Sequence, residues 1–256
     1  GLDYVYLCFD VNEETLPAAV AGLKTCGIRG FNLTMPNKNK IVELLDELSP
    51  EAQLIGAVNT VLNDNGKLIG YNTDGYGFMQ SVRDAGHDIT GKNITVMGVG
   101  GASMAICAQS ALDGAASVHI FARRTSRYWN RTQKFAENLS AKTGCQVCLF
   151  DNDDHTALRD SIAQSYLLIN ATSVGMVPDI DDTIIKDTSL FHPELVVADV
   201  VYEPQETRLL REAKAAGCQT FNGMYMLLHQ GAKAFQIWTG QEMPVSVIKE
   251  KYFSVK

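Results

Sequence analysis

Between Asn93 and Ile106 the sequence reads NITVMGVGGASMAI, a stretch built to hold a phosphate. Asn93 to Met97 form a short β-branched and apolar run, Gly98, Gly100 and Gly101 follow, and helix formers open at Ser103. A strand, a glycine turn and a helix in that order leave unpaired backbone N–H groups at the helix start, where the macrodipole also favours negative charge. Gly98 permits the tight turn, Gly100 lets the backbone approach a ligand, and Gly101 and Ala102 keep the cradle small. The third glycine of the dinucleotide fingerprint falls at Ser103, so the spacing here is G-x-G-G-A-x-x-A. A plain tight connection is the other reading of such a turn.

In a dinucleotide unit the end of the second strand meets the adenosine ribose, where an acid marks NAD and arginine accommodates the extra phosphate of NADP. Here that end reads FARRTSRYWNRTQK. From Phe121 to Lys134 it carries four arginines, one lysine and no acid, inside a chain of net charge −7. Arginines oppose the dipole at a helix start, so a solvated helix N-terminus is a poor account of them. The expectation is phosphate binding through Arg123 and Arg127, with Arg124 beside them, and hence NADP as cofactor with NAD as the second choice.

The overall acidic balance argues against a general nucleic-acid or anionic-membrane surface. No apolar run reaches about 18 residues, and the first residues carry neither a basic n-region nor a cleavage site, so a cytoplasmic protein without membrane partners is expected. The six cysteines lie scattered in apolar patterns and read as reduced thiols. Cys145 and Cys148 make a C-x-x-C, but they flank a strand-like run and no second pair completes a zinc site; the five histidines form no H-x-x-x-H pair. No metal is expected.

These residues need elements to position them. Tyr4 to Phe9 alternate as a strand, Leu16 to Cys26 carry apolar residues at helical spacing, and Gly30 to Thr34 return as a strand, which predicts a βαβ unit. Pro36 sits where a helix starts, with Lys38 in its first turn and an amphipathic continuation from Lys40 to Leu48. Gly56 to Leu62 and Lys67 to Tyr71 form a hairpin through Asp64-Asn65-Gly66. A helix from Tyr76 to Ala85 leads to the turn-rich AGHDITGKN, taken as the crossing between domains. Further strands follow at Ser117 to Ala122, Gln146 to Phe150, Tyr166 to Asn170, Leu195 to Val200 and Gln219 to Phe221. Helices separate most of them, which predicts a parallel sheet covered on both faces. A long helix over Tyr225 to Trp238 and a smaller one over Val245 to Phe253 close the chain.

The motifs together resemble the shikimate dehydrogenase family, including its quinate/shikimate branch, over essentially the whole chain. The resemblance rests on F-N-L-T-M-P-N-K at Phe31 to Lys38, G-A-V-N-T at Gly56 to Thr60 and Y-N-T-D-G at Tyr71 to Gly75. It continues through the glycine loop, N-A-T-S-V-G-M at Asn170 to Met176, D-V-V-Y-E-P at Asp199 to Pro204, and G-M-Y-M-L-L-H-Q-G-A at Gly223 to Ala232. It implies an α/β fold: an N-terminal α/β substrate domain over residues 1–75, completed by the C-terminal helices of 224–256, and a Rossmann-type domain with a parallel sheet over 76–223, with a cleft between them.

The resemblance assigns catalysis to Lys38 and Asp74 in a reversible hydride transfer between the nicotinamide and a ring carbon bearing a hydroxyl or ketone. A proton must move at that oxygen, and these two groups suit the task. A carboxylate favours the charged ammonium, whereas burial lowers a lysine pKa, and the sequence leaves open which wins. Without the motifs, Lys38 reads as a solvated lysine beside Lys40 and Asp74 as part of an Asx turn. The family pattern supplies Thr34, Asn59, Tyr202 and Gln230 as neutral groups for a polyhydroxylated carboxylate. It places Thr172, Gly223 and Met224 on the nicotinamide side.

The expected activity is the NADP-linked interconversion of 3-dehydroshikimate and shikimate, by a monomer or homodimer. A quinate/shikimate enzyme using NAD or NADP is the near alternative, and a non-catalytic nucleotide-binding module the distant one. Family members open with a strand, a Ser-x-Ser loop and a helix ahead of the segment matching Gly1 to Tyr4. A further stretch of about 30 to 40 residues before Gly1 is therefore expected.

Overall fold

The computed structural model describes residues 2–253. By contact density the chain divides into Gly1–Tyr71 and Asn72–Lys256, each with its own hydrophobic cluster.

In the first unit, α1 (Leu16–Thr25) turns Leu16 and Val20, four residues apart, into the core. After β1 (Gly30–Asn32), Pro36 precedes the single turn α2 (Asn37–Lys40), and a tighter 3₁₀ turn over Ile41–Leu44 buries Ile41 completely. Then come β2 (Glu47–Leu48) and α3 (Pro50–Ile55), capped by the Ser49 hydroxyl accepting from the Ala52 N–H. The strands β3 (Thr60–Asp64) and β4 (Lys67–Tyr71) form the expected hairpin, its two-residue turn supplied by Asn65 (φ 53°) and Gly66 (φ 92°). The sheet order is β1-β3-β4-β2, antiparallel except for β2 beside β4.

Two local expectations fail here. Residues 4–9 form no strand: Val5 is 87% exposed, and β1 pairs with β3 instead of closing a βαβ unit. Alternation alone cannot make a strand, because a strand exists only where a neighbour takes its backbone hydrogen bonds. The Tyr6 hydroxyl donates to Asn32 Oδ1 (2.8 Å), a side-chain tether rather than a ladder. The helix expected from Lys40 to Leu48 also breaks up. Asp46 exchanges hydrogen bonds with Leu68, its N–H donating to Leu68 O and its Oδ2 accepting from Leu68 N–H, and this draws the chain into β2.

The second unit opens with α4 (Asp74–Asp84), which starts two residues earlier than the apolar spacing suggests. Its strands are β5 (Asn93–Met97), β6 (Ser117–Ala122), β7 (Gln146–Asp151), β8 (Leu167–Asn170), β9 (Val196–Asp199) and β10 (Gln219–Phe221). Between them run α5 (Gly101–Leu112), α6 (Trp129–Thr143), α7 (His155–Gln164) and α8 (Arg208–Ala215). Last come α9 (Met224–Thr239), α10 (Val245–Ile248) and a π turn over Lys249–Phe253. All six strands are parallel, in the order β10-β9-β8-β5-β6-β7. β8 and β9 are buried at every residue, as sheets covered on both faces require, and Phe121, Met97, Leu168 and Val197 pack against Ile162 and Leu209 from the helices. The strand order reverses between β5 and β8, and ligands in such sheets bind beyond the strand ends at that point.

Candidate active site

The chain leaves β5 at the switch point through Gly98, whose φ of 112° suits only glycine. A Cβ there would also come within 2.8 Å of Thr172 Cγ2 and 2.9 Å of Ala171 O, so the turn lies directly against the end of β8. Ser103, at the position of the missing third glycine, is fully buried and donates to Gly98 O (2.6 Å), which fixes the loop from inside. At Gly100 and Gly101 an added Cβ would meet nothing within 4 Å. Internal packing therefore does not demand glycine there, whereas a ligand lying against the backbone does.

Beyond the strand ends opens a cleft of about 1340 Å³ whose floor is Gly98 to Ala102. Arg123, Thr125, Ser126, Arg127 and Tyr128 from the turn after β6 line one wall. Arg127 lies over the Tyr128 ring (4.7 Å to the centroid) and donates to its hydroxyl (2.6 Å). Arg124 departs from expectation: it does not line the cleft, and its guanidinium stacks 4.6 Å over the buried Trp129 instead. Neither this wall from Arg123 to Tyr128 nor the first turn of α5 carries an acid. A helix start without acid beside two arginines fits a dinucleotide with an additional phosphate.

The opposite wall is Ala171 to Val174, with Val200 to Glu203 beyond β9. It includes the expected Thr172 and Tyr202. Asn170 and Asp199, paired neighbours at the ends of β8 and β9, stand behind it. Burial pushes the Asp199 carboxyl upward, against hydrogen bonds from Val201, Thr207 and Asn170 that pull it down. Gly223 and Met224 are not in the lining. Gly223 instead abuts Val200, where a Cβ would fall 2.0 Å from the carbonyl oxygen. Tyr128 and Asn152 line the cleft without having been expected; Asn152 directly follows β7, and its place one residue past a parallel strand was the signal available.

In the first unit two backbone hydrogen bonds gather three expected groups. Leu33 N–H donates to Asn59 O and Val58 N–H to Lys38 O, both at 2.8 Å, which brings Thr34, Lys38 and Asn59 to one end of the sheet. Asn59 is buried and its Oδ1 accepts from Thr60 Oγ1 (2.9 Å). In the second unit Asp74 is the first residue of α4, buried, with its N–H given to Asn72 Oδ1 (3.1 Å) in an Asx turn. Gln230 lies on α9, where Gly77 of α4 approaches so closely that a Cβ would fall 2.7 Å from the Gln230 nitrogen. Among the described residues no group of three or more His, Cys, Asp or Glu could hold a metal ion, and no helix is long and apolar enough to cross a membrane.

Over 253 residues the chain is 51% identical to the shikimate dehydrogenase (NADP(+)) of Listeria innocua, spanning 99% of this chain and 87% of that protein. The chain belongs to the shikimate dehydrogenase family. Two profiles of that family match: the shikimate dehydrogenase substrate binding domain over residues 1–61 and the shikimate 5'-dehydrogenase C-terminal domain over 223–251. The quinate/shikimate dehydrogenase of Escherichia coli is 42% identical over 98% of this chain and 86% of that protein. The crystal structure of shikimate 5-dehydrogenase from Listeria monocytogenes, in complex with shikimate and NAD, is similar with a TM-score of 0.94 and 50% identity, over 97% of this chain and 86% of that one. Like the rest of the shikimate dehydrogenase family, the chain is an oxidoreductase acting on a CH–OH group.

Proposed function

We propose that the chain is an NADP-linked shikimate dehydrogenase that reversibly reduces 3-dehydroshikimate to shikimate. What carries this reading is the acid-free turn in which Arg123, Thr125 and Arg127 line the cleft beside the glycine loop. Bound NADP(H) supplies the hydride chemistry. Gly98, Gly100, Gly101 and Ala102 hold the pyrophosphate, and Arg123 and Arg127 the extra phosphate, with Arg124 bracing the turn from its stack on Trp129. Thr172, with Gly223 and Met224 behind the wall, shapes the nicotinamide side.

In this proposal residues 1–75 and the C-terminal helices of 224–256 serve the substrate, and 76–223 the cofactor. Thr34, Asn59, Tyr202 and Gln230 exchange hydrogen bonds with hydroxyls and carboxylate, which neutral side chains do without fixing one protonation state. The Lys38 ammonium gives a proton to the oxygen as it becomes an alkoxide and recovers it in the oxidation, with Asp74 as its acid–base partner. The protein acts in the cytoplasm as a monomer or homodimer, which sedimentation of the purified chain would resolve.

Quinate turnover is the second reading, favoured by the likeness to the E. coli quinate/shikimate enzyme. Absorbance at the reduced-nicotinamide band, with shikimate or quinate and with NADP or NAD, separates the cases. The proposal expects shikimate with NADP to lead. Quinate with NAD in the lead would replace it, and no turnover with any pair would leave only a nucleotide-binding role.

A further inference from the structure

Just past the ends of β8 and β9 the sheet gives its last hydrogen bonds, Ala171 N–H donating to Met97 O and Val200 N–H to Asn170 O (both 2.9 Å), and the backbone beyond them forms a wall of the cofactor cleft. From there side chains take over, holding the backbone of Thr172, Val174 and Val201. The holding chain starts at Asp199, whose carboxylate is fully buried with no charged neighbour raising or lowering it. Its Oδ1 accepts from the Val201 N–H (2.9 Å) and from Asn170 Nδ2 (3.0 Å), and its Oδ2 from Thr207 Oγ1 (2.8 Å). The second Asn170 Nδ2 hydrogen goes to Val174 O (3.1 Å). Asn170 Oδ1 is thereby left to accept from Thr172 N (3.1 Å) and Thr172 Oγ1 (2.6 Å), and Thr172 Oγ1 in turn accepts from Val174 N (3.1 Å).

A carboxylate can only accept, so it dictates the direction of every bond in this relay. A flipped Asn170 amide would set its oxygen against Asp199 and Val174 O, and its NH₂ against the Thr172 N–H. We propose that Asp199 is a positioning residue for the nicotinamide side of the cofactor cleft. Through Val201 it fixes one stretch of the wall directly, and through Asn170 it fixes the other. Asp199 itself does not line the cleft. This inference rests on the cleft holding NADP(H), as read above.

The test compares Asp199→Ala, Asp199→Asn and Asn170→Ala by fluorescence titration with NADPH and by steady-state kinetics. An asparagine at 199 keeps one carbonyl oxygen for Asn170 and Val201 and turns its NH₂ toward Thr207 Oγ1. Asp199→Ala is expected to raise the NADPH Kd and the NADP KM about tenfold or more and the shikimate KM by several-fold less, since only Tyr202 of the substrate groups rides on the loosened wall, and Asp199→Asn to restore most of the affinity. Should the alanine variant fail to fold, Asn170→Ala breaks the relay one link further along and is expected to give the same split. A folded variant, shown by a cooperative melt, that binds NADPH as wild type does would overturn the proposal. So would a uniform rise in both KM values, the mark of general loosening. A wild-type protein that fails to bind NADPH would instead strike the cofactor reading on which the proposal rests.

Discussion

An acidic side chain at position 125 would accept hydrogen bonds from the ribose hydroxyls of NAD and repel the phosphate of NADP; the chain has Thr125 there, in the cleft wall with Arg123 and Arg127. A hydrogen bond to a charged group contributes about 1.5–3 kcal/mol, so Arg123→Ala should cost one to two decades of NADP affinity and far less of NAD affinity. Thr125→Asp should move the preference toward NAD in the same titration. At Lys38, replacement by alanine should lower turnover by about two to four decades and leave the NADPH Kd unchanged. Near-normal turnover across pH would remove the lysine from the mechanism. Asp199 offers a different observable. Burial raises its carboxyl pKa in the folded state, so its contribution to stability is full below the ordinary carboxylate range and is lost as pH rises through the raised value. Asp199→Asn should thus melt higher than wild type at pH 7, with the gap closing as pH falls toward 4; a constant gap would contradict the charge argument. The glycines and Arg123 and Arg127 were legible because one turn of fixed type aims them. The direction of Arg124 and the presence of Tyr128 were not, since irregular turns have no period from which to read where a side chain points.

Helix α4 meets two other helices through glycines rather than through side chains. A Cβ at Gly75 would lie 2.3 Å from Ala105 O on α5, and one at Gly77 would lie 2.7 Å from both Met226 O and Gln230 N on α9. At the far end of the same contact, Asp84 Oδ2 and His229 Nε2 bond at 2.9 Å. Helices that approach backbone to backbone cannot yield by rotating a side chain, so Gly77→Ala should push α9 outward and cost about 1–3 kcal/mol in a urea melt. Because Gln230 rides on α9 beside Gly77, whereas Met224 lies at the helix start, the shikimate KM should rise by more than the NADPH Kd does. Gly75 and Gly77 appear in the sequence only as residues that weaken a helix, and the reason for them became visible with the packing. The parallel strands were legible almost to their ends, because a sheet buried on both faces demands continuous apolar runs. Tyr4 to Phe9 carry a similar pattern, yet a strand is a property of a pair, and one segment says nothing about its partner.

Each unit of the molecule buries its own cluster, Leu16, Ile41 and Val61 among others in the first and Phe121, Ile162 and Leu168 in the second. The free thiols divide along the same line except for Cys148, which is half-buried in the second unit. Cys8 and Cys26 are exposed and lie in the first unit, whereas Cys107, Cys145 and Cys218 are buried in the second. Burial pushes the Cys107 thiol up to about 12 and Cys145 up to about 11, and only the thiolate attacks. A disulfide reagent should consequently modify Cys8 and Cys26 first and the half-buried Cys148 after them, and reach the buried three only as fast as the second unit opens. Cys107 sits on α5, the helix that the glycine loop begins. NADP should then slow that last, slow phase by a factor of one plus the ratio of free ligand concentration to Kd. A variant with Cys8→Ser, Cys26→Ser and Cys148→Ser would leave only the slow phase. The chain would then report nucleotide occupancy through the kinetics of its own sulfur, with no substrate, no turnover and no attached label.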